Sequence, residues 1–171
     1  TVTNASGGYC FANLTKDTYT VKEVMKPNWV ATSPTQYTVD IFSGTEECLP
    51  PFLNYEKICI FGHKFEDLNS NGIWDAGEPY INGWKIYLYN GFPSPLITYT
   101  AENGSFEFCG LEPGDYTIIE ETPSGWVYTT PYGYKVTVKS GDVVWLSPFG
   151  NFHCVDIVMF KFEDVDSDGF Y

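Results

Sequence analysis

Positive charge is scarce in this sequence. Nine Lys and Arg residues stand against 22 Asp and Glu over 171 residues, a net charge of −13. Such a surface repels phosphate backbones and anionic membranes, which argues against nucleic acid as a partner and favours cations. Histidine is nearly absent, with only two residues, and the five cysteines contain no CxxC spacing; a zinc site is therefore a poor reading and disulfides a better one. No apolar run approaches the roughly 18 residues of a membrane-spanning helix. No stretch carries helical periodicity. GxSxG, HExxH and phosphate-loop motifs are missing as well, so nothing marks a catalytic set and the expectation is a protein that is not an enzyme.

Core-forming material is plentiful. Hydrophobic residues make up 43% and aromatics 18%, with 13 Tyr, 13 Phe and 5 Trp, which argues for a folded chain. The triplets beginning at Asn4, Asn13 and Asn103 are glycosylation sequons. Together with the cysteines they agree with an exported, extracellular protein, whose sequons are candidate sites for glycans. The first residue, Thr1, fits a processed chain or an excerpt.

Shifted by 97 residues against itself, the sequence aligns positions 1–74 with 98–171 without a gap and with 27 identities. Leu14 meets Leu111, Glu23 meets Glu120, Trp29 meets Trp126, Tyr37 meets Tyr134, Asn54 meets Asn151 and Lys64 meets Lys161. Solenoid repeats span about 20 to 50 residues, so a unit this long implies beads with their own cores. The expected organisation is the back of one module at 1–57, a complete module at 58–154 and the opening of a third at 155–171.

Within the complete module, 81–89, 104–109, 115–121 and 134–139 read as strands rich in β-branched and aromatic residues or alternating at period two. Gly, Pro and Asn clusters punctuate them. The fold class is accordingly all-β, a sandwich of about seven strands per module.

The segments GHKFEDLNSNGIWDAGEPYINGWKIYL, NGSFEFCGLEPGDYTIIEETPSGW, VTVKSGDVV and PFGNF resemble the SD-repeat B and Cna-B-type domains of microbial surface proteins. The resemblance covers the complete module and continues into both partial ones. It implies tandem prealbumin-like (Ig-like) β-sandwiches strung into stalks, pili or surface layers. Their partners would be neighbouring repeats of the same chain or identical subunits.

Asp67, Asn69, Asn71, Asp75 and Glu78 occupy positions 1, 3, 5, 9 and 12 of a twelve-residue loop, with Gly72 at 6 and the Ile73 carbonyl at 7. Calcium is a hard cation that takes six to eight oxygens, and this spacing supplies them. Asp164, Asp166 and Asp168 restore the first three ligand positions in the third copy. The bland alternative is a polar turn that binds nothing.

Lys64, Glu120 and Asn151 fall in phase with the core residues of their strands, and burying a lone ammonium or carboxylate is costly. In Cna-B-type domains such a Lys and Asn join in an isopeptide bond while the Glu shuttles protons. The resemblance implies that role here, with Glu23, Asn54 and Lys161 as the equivalents in the partial modules. A surface Lys64 paired with Glu120 is the plain alternative, and Glu121 is also within reach.

Phe106 and Phe108 are expected to face inward, which turns Cys109 outward. The constant index sum of an antiparallel pairing then sets Cys109 against Cys154 and Cys10 against Cys59, leaving Cys48 unpaired. A Cys10 to Cys48 bridge and free thiols stay open. The expected function is a structural repeat stiffened by calcium, disulfides and isopeptide bonds. The alternative is an adhesive module holding a carbohydrate or protein on exposed aromatics such as Trp74, Tyr80, Trp84, Phe92 and Tyr99.

Overall fold

The computed structural model describes residues 1–171 apart from Thr45, Phe162, Asp164, Asp166, Ser167, Asp168, Phe170 and Tyr171. Among the described residues there is no helix. The strands are β1 (Asp17–Lys22), β2 (Trp29–Ala31), β3 (Gln36–Ile41), β4 (Asn54–Glu56), β5 (Ile58–Glu66), β6 (Lys85–Tyr89), β7 (Leu96–Tyr99), β8 (Ser105–Leu111), β9 (Gly114–Glu120), β10 (Trp126–Tyr128), β11 (Gly133–Val138), β12 (Val143–Trp145) and β13 (Phe149–His153). The all-β class therefore stands. Residues divide into two compact units: Thr1–Cys59 with Cys109–Gly114 and Val138–Val143, and Ile60–Phe108 with Asp115–Thr137 and Val144–Tyr171.

In the first unit, β1 runs antiparallel to β3, from Asp17 opposite Ile41 to Lys22 opposite Gln36, and β2 runs antiparallel to β4. Tyr19, Val21, Tyr37, Val39 and Ile41 are half-buried while their neighbours in sequence are exposed, the alternation of a strand with one covered face. None of the described residues among 1–57 is buried.

The second unit has a closed core. One sheet has the order β10-β13-β5-β12, with β8 also pairing β5; the other has the order β11-β9-β6-β7. Phe106 and Phe149 on the first sheet and Ile86, Leu88, Tyr116 and Ile118 on the second are buried. The Tyr134 ring of β11 rests 5.0 Å from the Phe149 ring of β13, so the two sheets face each other as a sandwich.

Nine strands lie between Ile58 and His153 among the described residues, where the sequence reading expects about seven. The surplus comes from pieces such as β10 and β12, whose three residues are too few for a periodicity to register. Strand β6 begins at Lys85, not Ile81: Gly83 takes a φ of +72°, and the Gly83 and Trp84 amides bond to the Thr100 carbonyl and hydroxyl at 2.8 and 2.9 Å.

Hydrogen bonds inside the first unit recur inside the second at numbers 97 higher. The Glu23 amide donates to Thr35 at 3.1 Å and the Glu120 amide to Tyr132 at 3.3 Å. The Leu53 amide donates to the Ser33 hydroxyl and the Gly150 amide to the Thr130 hydroxyl, both at 2.8 Å. Thr18 donates to Asp40 at 2.6 Å, while at the corresponding rung Thr137 donates to Asp115 at 2.6 Å, with the two residue types exchanged between strands.

Candidate functional site

Three strands of the second unit bring a lysine, a glutamate and an asparagine together. Strands β5 and β13 are parallel neighbours, with Phe149 opposite Lys64 and Asn151 opposite Glu66. Glu120 comes from β9 on the facing sheet, opposite Ile86 of β6. Alternation turns all three side chains into the core, where Lys64 and Asn151 are 0% exposed and Glu120 is 2% exposed. The Lys64 Nζ donates to the Phe65 carbonyl, the Phe149 carbonyl and the Asn151 Oδ1, each at 3.1 Å. Glu120 Oε2 lies 3.5 Å from Nζ.

Apolar walls complete the site. The Trp84 ring centroid is 4.7 Å from Lys64 Nζ, a cation–π contact that offsets part of the lost hydration. Trp126 meets Trp84 edge-on at 5.2 Å and 87°. Burial pulls Lys64 down to about 8, against the opposing pull of Glu120, Asp67 and Glu66. Burial likewise pushes Glu120 up to about 7, against the influence of Lys64. Both groups thus change protonation near neutrality, and a neutral amine beside a carboxylic acid is accessible. The Asn151 Nδ2 is buried without a hydrogen-bond partner, which marks its C–N bond as the one the pocket does not hold.

The neighbouring carboxylate has a different assignment. Glu121 Oε1 accepts from Lys85 Nζ at 3.0 Å and from the Tyr87 hydroxyl at 2.9 Å on the partly exposed face. Strand alternation separates the two acids, so only Glu120 reaches Lys64.

In the first unit the equivalents Glu23 and Asn54 meet directly. Asn54 Nδ2 donates to Glu23 Oε2 at 2.8 Å. The other oxygens, Glu23 Oε1 and Asn54 Oδ1, are buried without hydrogen-bond partners. Lys161, the third equivalent, is exposed.

The loop from Asp67 to Glu78 folds around its own amides. Asp67 accepts from the Asn71 amide at 3.1 Å and the Gly72 amide at 2.7 Å. The Asn69 and Asn71 side-chain amides both donate to Asp75 Oδ2 at 2.8 Å, and Glu78 accepts from the Leu68 and Asp75 amides at 2.9 Å each. Gly72 has a φ of +77°, and a Cβ there would lie 2.9 Å from the Thr129 carbonyl, so the position admits only glycine. The Asn69 and Asn71 side chains thus turn their nitrogens, not their oxygens, to Asp75, and among the described residues no three or more His, Cys, Asp or Glu side chains group as a metal site; the residue types themselves are those a hard cation takes. The Ile73 amide donates to Asn71 Oδ1 at 2.7 Å. Asp164, Asp166 and Asp168 lie outside the described residues.

The expected cysteine pairings are wrong. Cys59 is bridged to Cys109, with Cα atoms 4.2 Å apart, while Cys10, Cys48 and Cys154 are free and exposed. Neither Cys109–Cys154 nor Cys10–Cys59 forms, because β8 pairs β5 while β13 lies between β5 and β10. The index-sum reading assumed that β8 and β13 were neighbours. Trp84 also departs from expectation: it is 6% exposed, a wall of the lysine site. Its phase with Ile86 and Leu88 carries that signal. Trp74, Tyr80, Phe92 and Tyr99 are exposed, as are the sequon residues Asn4, Asn13 and Asn103.

Residues 61–146 match the family described as SdrD B-like domain. Serine-aspartate repeat-containing protein F of Staphylococcus epidermidis is 33% identical over 149 residues, covering 74% of this chain and 9% of that protein. Bone sialoprotein-binding protein of Staphylococcus aureus (strain MRSA252) is 30% identical over 155 residues, covering 82% of this chain and 13% of its own length. The chain thus spans about a tenth of the length of these relatives. Among solved structures, the minor pilin of Streptococcus agalactiae is 17% identical, with a TM-score of 0.47, over 93% of this chain and 69% of that one.

Proposed function

We propose that this chain, which belongs to the SdrD B-like domain family, is a structural segment of an extracellular stalk, surface layer or filament. In this reading its sandwich modules, bounded at 1–57, 58–154 and 155–171, are strapped by Lys–Asn amide bonds. The observation that carries the reading is the buried meeting of Lys64, Glu120 and Asn151. A buried ion pair is poor value for stability alone, whereas the same groups have a use in bond formation. Glu120 takes a proton from the Lys64 ammonium; the free amine attacks the Asn151 side-chain carbonyl carbon, Glu120 gives its proton to Nδ2 and takes the surplus proton from the adduct nitrogen, the C–Nδ2 bond breaks and ammonia leaves. One amine and one carboxamide become one secondary amide and ammonia.

The mechanical consequence follows from strand order. Lys64 lies on the first strand of the complete module and Asn151 on the last, and the two strands are neighbours. Tension entering at β5 and leaving at β13 would pass through the amide, keeping residues 65–150 out of the force path. The oxygens of Asp67, Asn69, Asn71, Asp75 and Glu78, with the Ile73 carbonyl, would hold calcium three residues beyond the strap, and the ion would supply the charge that offsets the loop carboxylates. Extracellular calcium modules bind at about 10⁻⁴ to 10⁻³ M.

Intact mass of the reduced chain tests the strap. A deficit of about 17 Da, one ammonia, that disappears in Lys64→Ala is expected; full calculated mass in the parent chain overturns it.

A second reading, adhesion, is favoured by an aromatic run in the second unit. Trp74 stacks on Tyr80 at 5.3 Å and 8°, Tyr80 approaches His63 at 5.7 Å, and Trp145 stacks on His63 at 6.1 Å and on Phe61 at 4.7 Å. Such a strip offers flat faces to a sugar ring. Tryptophan fluorescence unmoved by a carbohydrate panel would remove this reading.

A further inference from the structure

Strand β7 ends its sheet. The order β11-β9-β6-β7 leaves one side of Leu96–Tyr99 without a neighbouring strand among the described residues. Which groups face that side follows from the ladder with β6, where Lys85 stands opposite Tyr99 and Tyr87 opposite Ile97. The Thr100 amide donates to the Trp84 carbonyl at 3.0 Å, and on the β9 side the Glu121 amide donates to the Lys85 carbonyl at 3.0 Å. Bonded and unbonded pairs alternate along an antiparallel ladder, so Leu96 and Thr98 bond to β6 while the amides and carbonyls of Ile97 and Tyr99 point outward. The edge of β7 thus presents two donors and two acceptors in a row.

Nothing in this edge repels a further strand. At the opposite end of the sheet, β11 carries the exposed Lys135, the kind of charge that discourages pairing at an edge. Residues 91–100 hold no charge at all, and Lys85 beside them is tied to Glu121 at 3.0 Å. Phe92, Leu96, Ile97 and Tyr99 are 70%, 51%, 51% and 58% exposed. A chain of net charge −13 repels its own copies, so an uncharged, apolar edge is where two of them meet at least cost.

We propose that β7 of a second copy of this chain adds to this edge, antiparallel and across a two-fold axis at Thr98, so that two four-stranded sheets become one continuous sheet. The edge is complementary to itself. With Thr98 on the axis, Ile97 faces Tyr99 of the second copy and each outward amide meets an outward carbonyl, four bonds in all. A shift of one step sets Tyr99 against Pro95, which has no amide proton. A shift the other way sets Ile97 against Ala101, whose amide is already held by the Ser105 carbonyl at 2.8 Å. The chosen register also pairs a β-branched residue with an aromatic one on one face and threonine with threonine on the other, both favourable across strands. At their exposures Phe92, Leu96, Ile97 and Tyr99 offer roughly 500 Å² per copy, and the pair of about 1,000 Å² stands at the lower bound of a specific interface. The contact is accordingly reversible, with a dissociation constant on the order of 10⁻⁴ M. It would let stalks associate side by side, and it does not depend on the Lys64 chemistry.

Sedimentation equilibrium of the full chain tests this, with the exposed thiols of Cys10, Cys48 and Cys154 alkylated to prevent bridging between copies. Carried to about 1 mM, tenfold above the expected constant, it should show monomer passing to dimer. Amide exchange at low and high concentration reads the register. The Ile97 and Tyr99 amides should slow severalfold as the dimer fills, while the Thr98 amide, already bonded to β6, is slow at both. Ile97→Pro removes an outward donor at a position where an edge strand tolerates proline, and Ile97→Lys keeps the donor but brings a charge from each copy to the joint. Each should weaken association about tenfold or more, whereas Trp145→Ala on the other sheet should leave it unchanged. A chain that stays monomeric at about 1 mM overturns the proposal. So does a dimer that survives both Ile97 variants with the Ile97 and Tyr99 amides still in fast exchange, since it would form through another face. The ammonia deficit of the Lys64 site is read separately, by mass, and stands or falls on its own.

Discussion

The two units hold the same acid and amide in different company. In the second, Glu120 and Asn151 close around Lys64 beneath Trp84, and all three polar groups are buried within a core sealed on both sheets. In the first, Glu23 and Asn54 have only each other, at 2.8 Å, and none of the described residues among 1–57 is buried. The difference lies in how far each pair is enclosed. With β5 in place, the pocket is dry enough to shift both titrating groups; in the first unit, Glu23 and Asn54 are only half-buried. Lys64 is enclosed by the strand that carries it, because that strand also supplies the apolar residues Ile58, Ile60 and Phe65 that exclude water.

The sharpest way to break this comparison is to remove the cation. Lys64→Met should destabilise the second unit by about 3 to 5 kcal/mol, the cost of stranding one partner of a buried pair. Glu23→Gln, on the open side, should leave the denaturation midpoint nearly unchanged. Equal effects at the two sites would show that the enclosure described for Lys64 does not govern its energetics.

Next in size is the pH dependence of Asn151→Ala, which cannot form the amide. Glu120 is raised from 4.5 to about 7, so its contribution is complete below 4.5 and lost as pH rises through 7. Lys64 is lowered from 10.5 to about 8, so its contribution is complete above 10.5 and lost as pH falls through 8. Stability should therefore pass through a minimum between pH 7 and 8, on the order of 2 kcal/mol deep. Under the proposed reading the parent chain carries the amide, so Lys64 would not titrate and the rise above pH 8 should vanish. Urea titrations across pH 5 to 10 read both profiles.

The smallest effect sharpens the contrast further. Chelation of calcium should lower the stability of the second unit by about 1 kcal/mol at millimolar calcium, because a ligand held only by the folded loop must stabilise it. Amide exchange should place the loss around Asp67 to Glu78 and leave Asp17 to Ile41 untouched. Unchanged melting with and without chelator would remove calcium from the account.

Much of this could be read from residue order. Alternation along Phe106 to Phe108 and Tyr116 to Glu120 gave strands and facing correctly, since a period of two needs only neighbours in sequence. The same phase rule turns Lys64, Glu120 and Asn151 inward, where the structure has them. It also applied to Trp84, whose size and place in an aromatic-rich stretch made it look like a binding residue. The cysteines could not be resolved that way. Their pairing depends on which strands are neighbours, and alternation along a strand says nothing of its neighbour in the sheet.

By itself, the sequence determined the all-β class, the 97-residue echo and the inward phase of the lysine, glutamate and asparagine, because each is a relation between residues along one chain. Only the tertiary structure decided that β8 lies beside β5 and so joins Cys59 to Cys109, that Trp84 walls the lysine, and that Glu23 and Asn54 bond to each other. Those outcomes depend on contacts between residues about 20 to 90 positions apart, which sheet order and the exclusion of water select and no local pattern encodes.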